Sequence, residues 1–96
     1  MQVRYLPPAR DEYLAQVDLY ESAAPGLGER FIHAIELAEQ LIARRPEAFR
    51  QVERDIRACS VRGFPFRLLY AVRDESVLVI AVAHTAREPR QFLKRG

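Results

Sequence analysis

The stretch from Arg57 to Arg87, RACSVRGFPFRLLYAVRDESVLVIAVAHTAR, decides the fold. Two of its runs, Phe66–Val72 and Val77–Ala83, are rich in β-branched and aromatic residues and have the length of strands. The polar segment Arg73–Ser76 between them predicts a turn, so the whole predicts a β-hairpin. The second run is apolar at nearly every position, which is typical of a strand covered on both faces. We therefore expect it to be the central strand of the sheet.

The residues after this strand form the first candidate for a functional site. The strand ends at His84, and Arg87 and Arg90 follow closely. An imidazole and two guanidinium groups are therefore delivered to one rim of the sheet. Arginine is suited to bidentate contacts with phosphate or carboxylate, so an anionic partner fits this rim.

Length and composition predict one soluble domain spanning residues 1–96. The chain is 49% hydrophobic, and no run approaches the ~18 consecutive apolar residues of a membrane span. The segment Met1–Pro8 lacks the apolar core of a signal peptide, so we expect the chain in the cytoplasm. Cys59 is the only cysteine, which excludes an intrachain disulfide and a cysteine-based zinc site. We expect no metal and no cofactor.

The net charge of +2 hides an asymmetry between the two halves. Residues 1–48 carry five arginines against eight acids, and residues 49–96 carry nine arginines and one lysine against five acids. The basic half is the half with most of the strands. This pattern fits contact with nucleic acid, and it equally fits a solvated charged surface without a partner.

The rest of the chain predicts a helical hairpin between a first strand and the later strands. Gln2–Leu6 alternates and is closed by two prolines, which predicts a short strand followed by a helix from Ala9. Pro25 and Gly26 end that helix, and a second apolar stripe predicts a second helix before Pro46 with these core residues: Leu27, Phe31, Ala34, Ile35, Ala38, Leu41 and Ile42.

The remaining segments are less clearly patterned. Glu47–Glu53 is polar and predicts a loop or a ragged helical turn, Ile56–Val61 predicts a weak strand, and Gln91–Lys94 fits a last helical turn. The fold class is therefore α+β, with the order β-α-α-β-β-β. A helical hairpin packs on a small, mostly antiparallel sheet in two layers.

With these elements in place, the chain resembles the RelE/ParE superfamily of type II toxin–antitoxin toxins, also called plasmid-stabilisation proteins. Four pieces carry the resemblance and together span nearly the whole chain: Gly26–Phe31; Arg44–Pro46; the pair Ile56 and Arg57 followed by Phe64–Tyr70; and Val82–His84 followed by Arg87–Pro89. The combination of Phe-Pro-Phe-Arg with the later Val-x-His strand end is the most specific part.

The resemblance implies a growth-inhibiting toxin that a cognate antitoxin neutralises in a hetero-oligomer. An antitoxin segment is expected to add to an unpaired sheet edge, and its disordered tail to cover the arginine-rich rim. Two activities occur on this fold, ribosome-dependent messenger-RNA cleavage in RelE-like members and inhibition of DNA gyrase in ParE-like members. We favour the gyrase inhibitor; the nuclease, and an inactive relative that only binds a partner, remain open.

The nuclease alternative assigns catalytic roles to two residues. Arg67 matches the strand position of a catalytic arginine in nuclease members, and His84 would act as general acid or base. The predicted contacts to nucleic acid or to another target come from arginines: Arg57, Arg62, Arg87 and Arg90. The chain departs from the nuclease pattern, because Phe92 stands in the tail where a tyrosine is common and Lys94 is the only lysine.

Overall fold

The computed structural model describes residues 1–95 and has two layers. The elements in chain order are β1 (Gln2–Tyr5), α1 (Pro7–Ala23), α2 (Leu27–Arg44), β2 (Arg50–Glu53), β3 (Ile56–Val61), β4 (Phe66–Arg73), β5 (Ser76–His84) and a final 3₁₀ helix (Pro89–Arg95). One five-stranded sheet has the order β1-β5-β4-β3-β2, with β1 parallel to β5 and the other pairs antiparallel. The predicted α+β class is thereby confirmed.

Two sequence predictions about the sheet are wrong. The segment predicted as a loop or ragged turn before Glu53 contains strand β2, in which Val52 is the only apolar residue and which is held by pairing with β3. Because β2 adds a strand on the side of β3, the middle of the sheet is β4 rather than β5. Strand β5 is still an interior strand, between β1 and β4.

The two helices are closely fitted at their connection. The Glu21 carboxylate near the end of α1 accepts hydrogen bonds from the N–H groups of Gly26 and Gly28, at 3.1 and 3.0 Å. These bonds satisfy free donors at the start of α2. A Cβ on Gly28 would lie 2.9 Å from the Val17 carbonyl oxygen, so only glycine allows this approach.

The helices cover one face of the sheet, which we name the helix face. Phe66, Leu68 and Tyr70 of β4 point to this face and pack in one buried cluster with Phe31 and Ile35 of α2. Leu41 was predicted to belong to this core, but it is half exposed because it lies on a different side of α2.

The opposite face of the sheet, which we name the far face, carries a second buried cluster. Leu69 and Ala71 of β4 point to it, and Phe92 of the final helix packs against them. Strand β5 is therefore covered on both faces, as its continuous apolar run predicted.

A β-bulge in β5 decides which side chains reach which face. Leu69 pairs with Ala81 while Tyr70 pairs with Val79, so Ile80 is an extra residue. Ile80 and Ala81 both join the far-face cluster, after which the alternation continues with reversed parity. Without the bulge, His84 would share a face with Ile80; with it, His84 lies opposite Phe66 and on the helix face.

The turn between β4 and β5 offers a test of this local geometry. Its two central residues, Asp74 and Glu75, have positive φ angles of 50° and 60°. Non-glycine residues disfavour this conformation, and the Asn-Gly pair favours it. We expect the double substitution Asp74→Asn with Glu75→Gly to raise the free energy of unfolding by about 0.5 to 1 kcal/mol in urea titrations.

The matched control is Glu53→Gly, which places the same substitution in strand β2 without a positive φ. We expect it to lower stability. A loss of stability in the turn variant equal to that in the control would contradict the assigned turn.

Candidate functional site

His84 closes strand β5 at the rim and shapes the turn that follows. Its exposed ring packs against the Phe66 ring in a T-shaped arrangement, with centroids 5.4 Å apart. Its Nδ1 accepts a hydrogen bond from the Ala86 N–H at 3.0 Å, and its carbonyl oxygen accepts one from the Arg87 N–H at 2.9 Å. Nδ1 is therefore engaged as an acceptor, and Nε2 is the nitrogen left for an external partner.

Arg67 lies on the far face of β4, opposite Ser60 on one side and Ala83 on the other. Its Nη2 donates to the Arg87 carbonyl oxygen at 3.1 Å. Its Nε is buried and has no hydrogen-bond partner within residues 1–95. A buried unpaired donor costs roughly 1–3 kcal/mol, so an incoming acceptor at this position would be stabilised.

The structure therefore separates the two residues predicted to act together in a nuclease. Arg67 lies on the far face and His84 on the helix face, as their pairing with Ala83 and Phe66 requires. Only the backbone of Arg87 joins them, because its carbonyl oxygen accepts from Arg67 and its N–H donates to His84.

The side chain of Arg87 lies with His84 at a hollow of about 550 Å³, which we name the rim hollow. Its wall is formed by α1 residues on one side and Phe92 of the final helix on the other. This hollow borders the second half of β5, beyond the last residue of β1.

Two side chains cap the edge of β5 where β1 no longer covers it. The Val82 N–H donates to the Glu12 carboxylate at 3.1 Å, and the Ile80 carbonyl oxygen accepts from Arg95 Nη1 at 3.2 Å. Arg95 and Glu12 also form an ion pair of 2.9 Å. The pair thus takes the place of a neighbouring strand. Sequence reasoning missed it, since the two residues lie far apart in the chain and have no recognisable motif.

The other predicted contact residues are dispersed. Arg57 faces the helix side opposite Tyr70 and donates to the carbonyl oxygens of Phe49 and Glu47 at 2.7 and 3.3 Å, which fixes the loop before β2. Arg62 is exposed in the β3–β4 turn, and Arg90 is exposed on the final helix. Of these predicted arginines, Arg87 lines the rim hollow.

A further arginine on the far face was missed because its strand was not predicted. Arg50 of β2 lines a shallow depression of about 440 Å³ with Ser60, Arg67 and Pro89. Two guanidinium groups from different strands thus reach the same exposed surface. The depression is suited to an anion rather than to an apolar ligand.

Other reactive groups are committed to packing. Burial raises the pKa of Tyr70 to about 12, although Arg57 acts in the opposite direction, and the Tyr70 hydroxyl donates to the Pro46 carbonyl oxygen. Burial also raises the pKa of the Cys59 thiol to about 11, so the thiolate that nucleophilic chemistry needs is disfavoured. Within residues 1–95, no three His, Cys, Asp or Glu residues cluster to hold a metal ion. No helix in the same range is long and apolar enough to cross a membrane.

Comparison with known proteins agrees with this architecture. A chain of the chromosomal ParDE toxin–antitoxin system from P. aeruginosa superposes with a TM-score of 0.74 at 15% sequence identity, covering 88% of this chain and 95% of that one. This likeness shows a shared fold. No curated protein sequence matches the chain.

The order of the elements is the one that the resemblance to the RelE/ParE superfamily implied. A family model described as the ParE toxin of type II toxin–antitoxin systems, parDE, matches residues 3–89. The chain belongs to this family, which confirms the resemblance deduced from its motifs.

The side-chain cap on β5 generates a testable prediction. In Glu12→Ala the Val82 N–H loses its acceptor and Arg95 loses its carboxylate, so we expect amide exchange at Val82 to accelerate at least tenfold. Glu12→Gln keeps an acceptor oxygen and should give a smaller acceleration. Glu36→Ala removes an exposed carboxylate elsewhere and serves as the control; equal exchange at Val82 in all three variants would contradict the cap.

Proposed function

We propose that this toxin arrests growth by binding DNA gyrase, and that a cognate antitoxin neutralises it in the cytoplasm. The observation that carries the mechanism is the placement of Arg67 and His84 on opposite faces of the sheet. A protein that blocks another enzyme needs a complementary surface, whereas a nuclease needs several groups around one phosphate.

The chemistry of metal-free RNA cleavage makes this contrast concrete. It requires a base for the 2′-hydroxyl, an acid for the leaving oxygen and a cation near the phosphate. His84 uses Nδ1 to hold its own turn, and the Tyr70 hydroxyl is committed to Pro46. Lys94, the only lysine, lies exposed on the final helix. Arg87, which lines the rim hollow, is better placed as a contact residue than as a member of a proton-transfer set.

The antitoxin is proposed as a segment that covers the rim. The rim hollow borders a strand edge that only side chains cap, and Arg87 at its margin suits an acidic partner. A disordered acidic tail that folds on binding would satisfy both features. The complex would be a hetero-oligomer.

One observation favours ribosome-dependent RNA cleavage as the second candidate. The unpaired Nε of Arg67 lies on the far face near Arg50, where two guanidinium groups could hold a phosphate. In this alternative the RNA would lie on the far face, and His84 would reach it only around the strand end.

The experiment follows growth in cells and then compares two readouts, gyrase supercoiling and messenger-RNA cleavage, with the same purified chain. We expect induction of the chain alone to arrest growth, co-expression of the neighbouring gene product to restore it, and purified chain to inhibit gyrase supercoiling. A translating extract should show no codon-phased messenger-RNA cuts.

His84→Ala decides between the two mechanisms, with His33→Ala as the control because His33 is an exposed histidine on α2. Loss of a general acid or base lowers a cleavage rate by ~10²–10⁴, whereas loss of one surface contact costs about 1 kcal/mol. Codon-phased cuts that disappear in His84→Ala, with supercoiling unaffected, would overturn the gyrase proposal. Complex formation without growth arrest would instead identify an inactive, partner-binding relative.

A further inference from the structure

The turn that follows β5 uses a side-chain nitrogen as one of its hydrogen-bond acceptors. In this turn, His84–Arg87, which we name the rim turn, the His84 carbonyl oxygen accepts from the Arg87 N–H at 2.9 Å. The His84 side chain folds back over the turn, so that Nδ1 accepts from the Ala86 N–H at 3.0 Å. The Thr85 N–H donates to the Pro65 carbonyl oxygen at 3.0 Å and ties the turn to the start of β4. A side-chain acceptor therefore completes the hydrogen bonding of the rim turn.

The rim turn also sets the point from which the Arg87 side chain leaves the backbone. Arg87 and His84 line the rim hollow together. The His84 ring packs against Phe66, which is buried, so the orientation of the imidazole is anchored to the helix-face core. A bidentate contact between a guanidinium group and a carboxylate depends on a defined geometry. The hydrogen bond to Nδ1 is thus one of the contacts that place Arg87 for a partner.

Only the neutral imidazole of His84 can make this hydrogen bond. In the neutral ring Nδ1 is the acceptor and Nε2 carries the proton, whereas both nitrogens of an imidazolium ion are donors. Protonation therefore sets a ring N–H against the Ala86 N–H, and turning the ring over provides no acceptor either. Histidine changes its charge between about pH 5 and about pH 8. The rim turn is consequently complete above the titration of His84 and lacks one hydrogen bond below it.

The charges around His84 do not compensate for this loss. Among residues 1–95, the lining of the rim hollow contains one carboxylate, that of Glu12 on α1, and one cation besides His84 itself, Arg87. The Glu12 carboxylate is already paired with Arg95 of the final helix. From β4, Arg67 brings another guanidinium group to the turn, where it donates to the Arg87 carbonyl oxygen. A protonated His84 would thus meet two cations and a carboxylate that has its own partner.

We propose that His84 is a positioning residue for Arg87, and that protonation of His84 loosens the rim turn and weakens the contact of Arg87 with gyrase. The proposal rests on the proposed function, because the affected contact is the one with that target. The added charge alone would attract an acidic partner, but the ring is exposed, so this attraction is screened at physiological salt. Loss of the hydrogen bond acts on the position of Arg87 and corresponds to roughly a three- to tenfold loss of affinity.

A titration of the free chain tests the switch without any partner. The backbone amide shifts of Ala86 and the ring shifts of His84 are followed in the isotope-labelled chain from about pH 8 to about pH 5.5, where carboxylates remain largely ionised. The Ala86 amide proton should move upfield with the same midpoint as the His84 ring, because its hydrogen bond is lost. The transition should disappear in His84→Asn, whose side-chain oxygen accepts at every pH, and should persist in His33→Asn, the control at an exposed histidine.

Two results of this titration would overturn the proposal. In the first, the His84 ring titrates and the Ala86 amide does not follow it. In the second, the Ala86 amide shows the same transition in His84→Asn as in the parent.

The second measurement is the concentration of purified chain that halves gyrase supercoiling, taken at about pH 7.5 and about pH 6 and at equal salt. On going to the lower pH, the parent should lose roughly three- to tenfold more inhibition than His84→Asn, and His33→Asn should behave like the parent. An equal loss in the parent and His84→Asn, or stronger inhibition by the parent at the lower pH, would overturn the proposal. A chain that inhibits at neither pH contradicts the proposed function and with it the positioning role, whereas the Ala86 titration separately accepts or rejects the switch.

Discussion

The extra residue at Ile80 is the constraint on which the arrangement of the site depends. Strand β5 is apolar along its length and must be covered on both faces, by the helices on one side and by Phe92 on the other. The bulge lets Ile80 and Ala81 both fill the far-face core and then reverses the parity of the strand end. His84 consequently lies on the helix face, while Arg67 on the regular strand β4 stays on the far face.

Much of the fold could be predicted because the strands β3 to β5 and the helices have strong local patterns. Strand β2 could not be predicted from the sequence, since it has one apolar residue and depends on pairing with β3. That His84 and Arg87 lie together at the rim was likewise visible in their order along the chain. The sheet face on which each of these side chains lies could not be predicted, because apolar residues at nearly every position of β5 conceal the register shift that a bulge introduces.

The arginines of this chain have different roles that composition alone does not distinguish. Arg57 and Arg95 bind backbone carbonyl groups and hold the fold together, and Arg67 is partly used in the same way. Arg62 and Arg87 are exposed and lie at two separate surfaces. A toxin that works by binding can use such separate surfaces for a target and for a neutralising partner, whereas a catalyst must concentrate its groups.

A double-mutant cycle on Arg67 and His84 tests the central claim, that these residues act separately, most directly. The cycle measures the concentration of purified chain that halves gyrase supercoiling for the parent, Arg67→Ala, His84→Asn and the double variant. Asparagine is chosen because its side-chain oxygen can still accept from the Ala86 N–H. The account predicts that the two effects on the free energy of inhibition add within about 0.5 kcal/mol. The contradicting result has two parts: each single substitution nearly abolishes inhibition, and the double variant is no weaker than either single variant. Arg67 and His84 would then act as one unit, which contradicts the account.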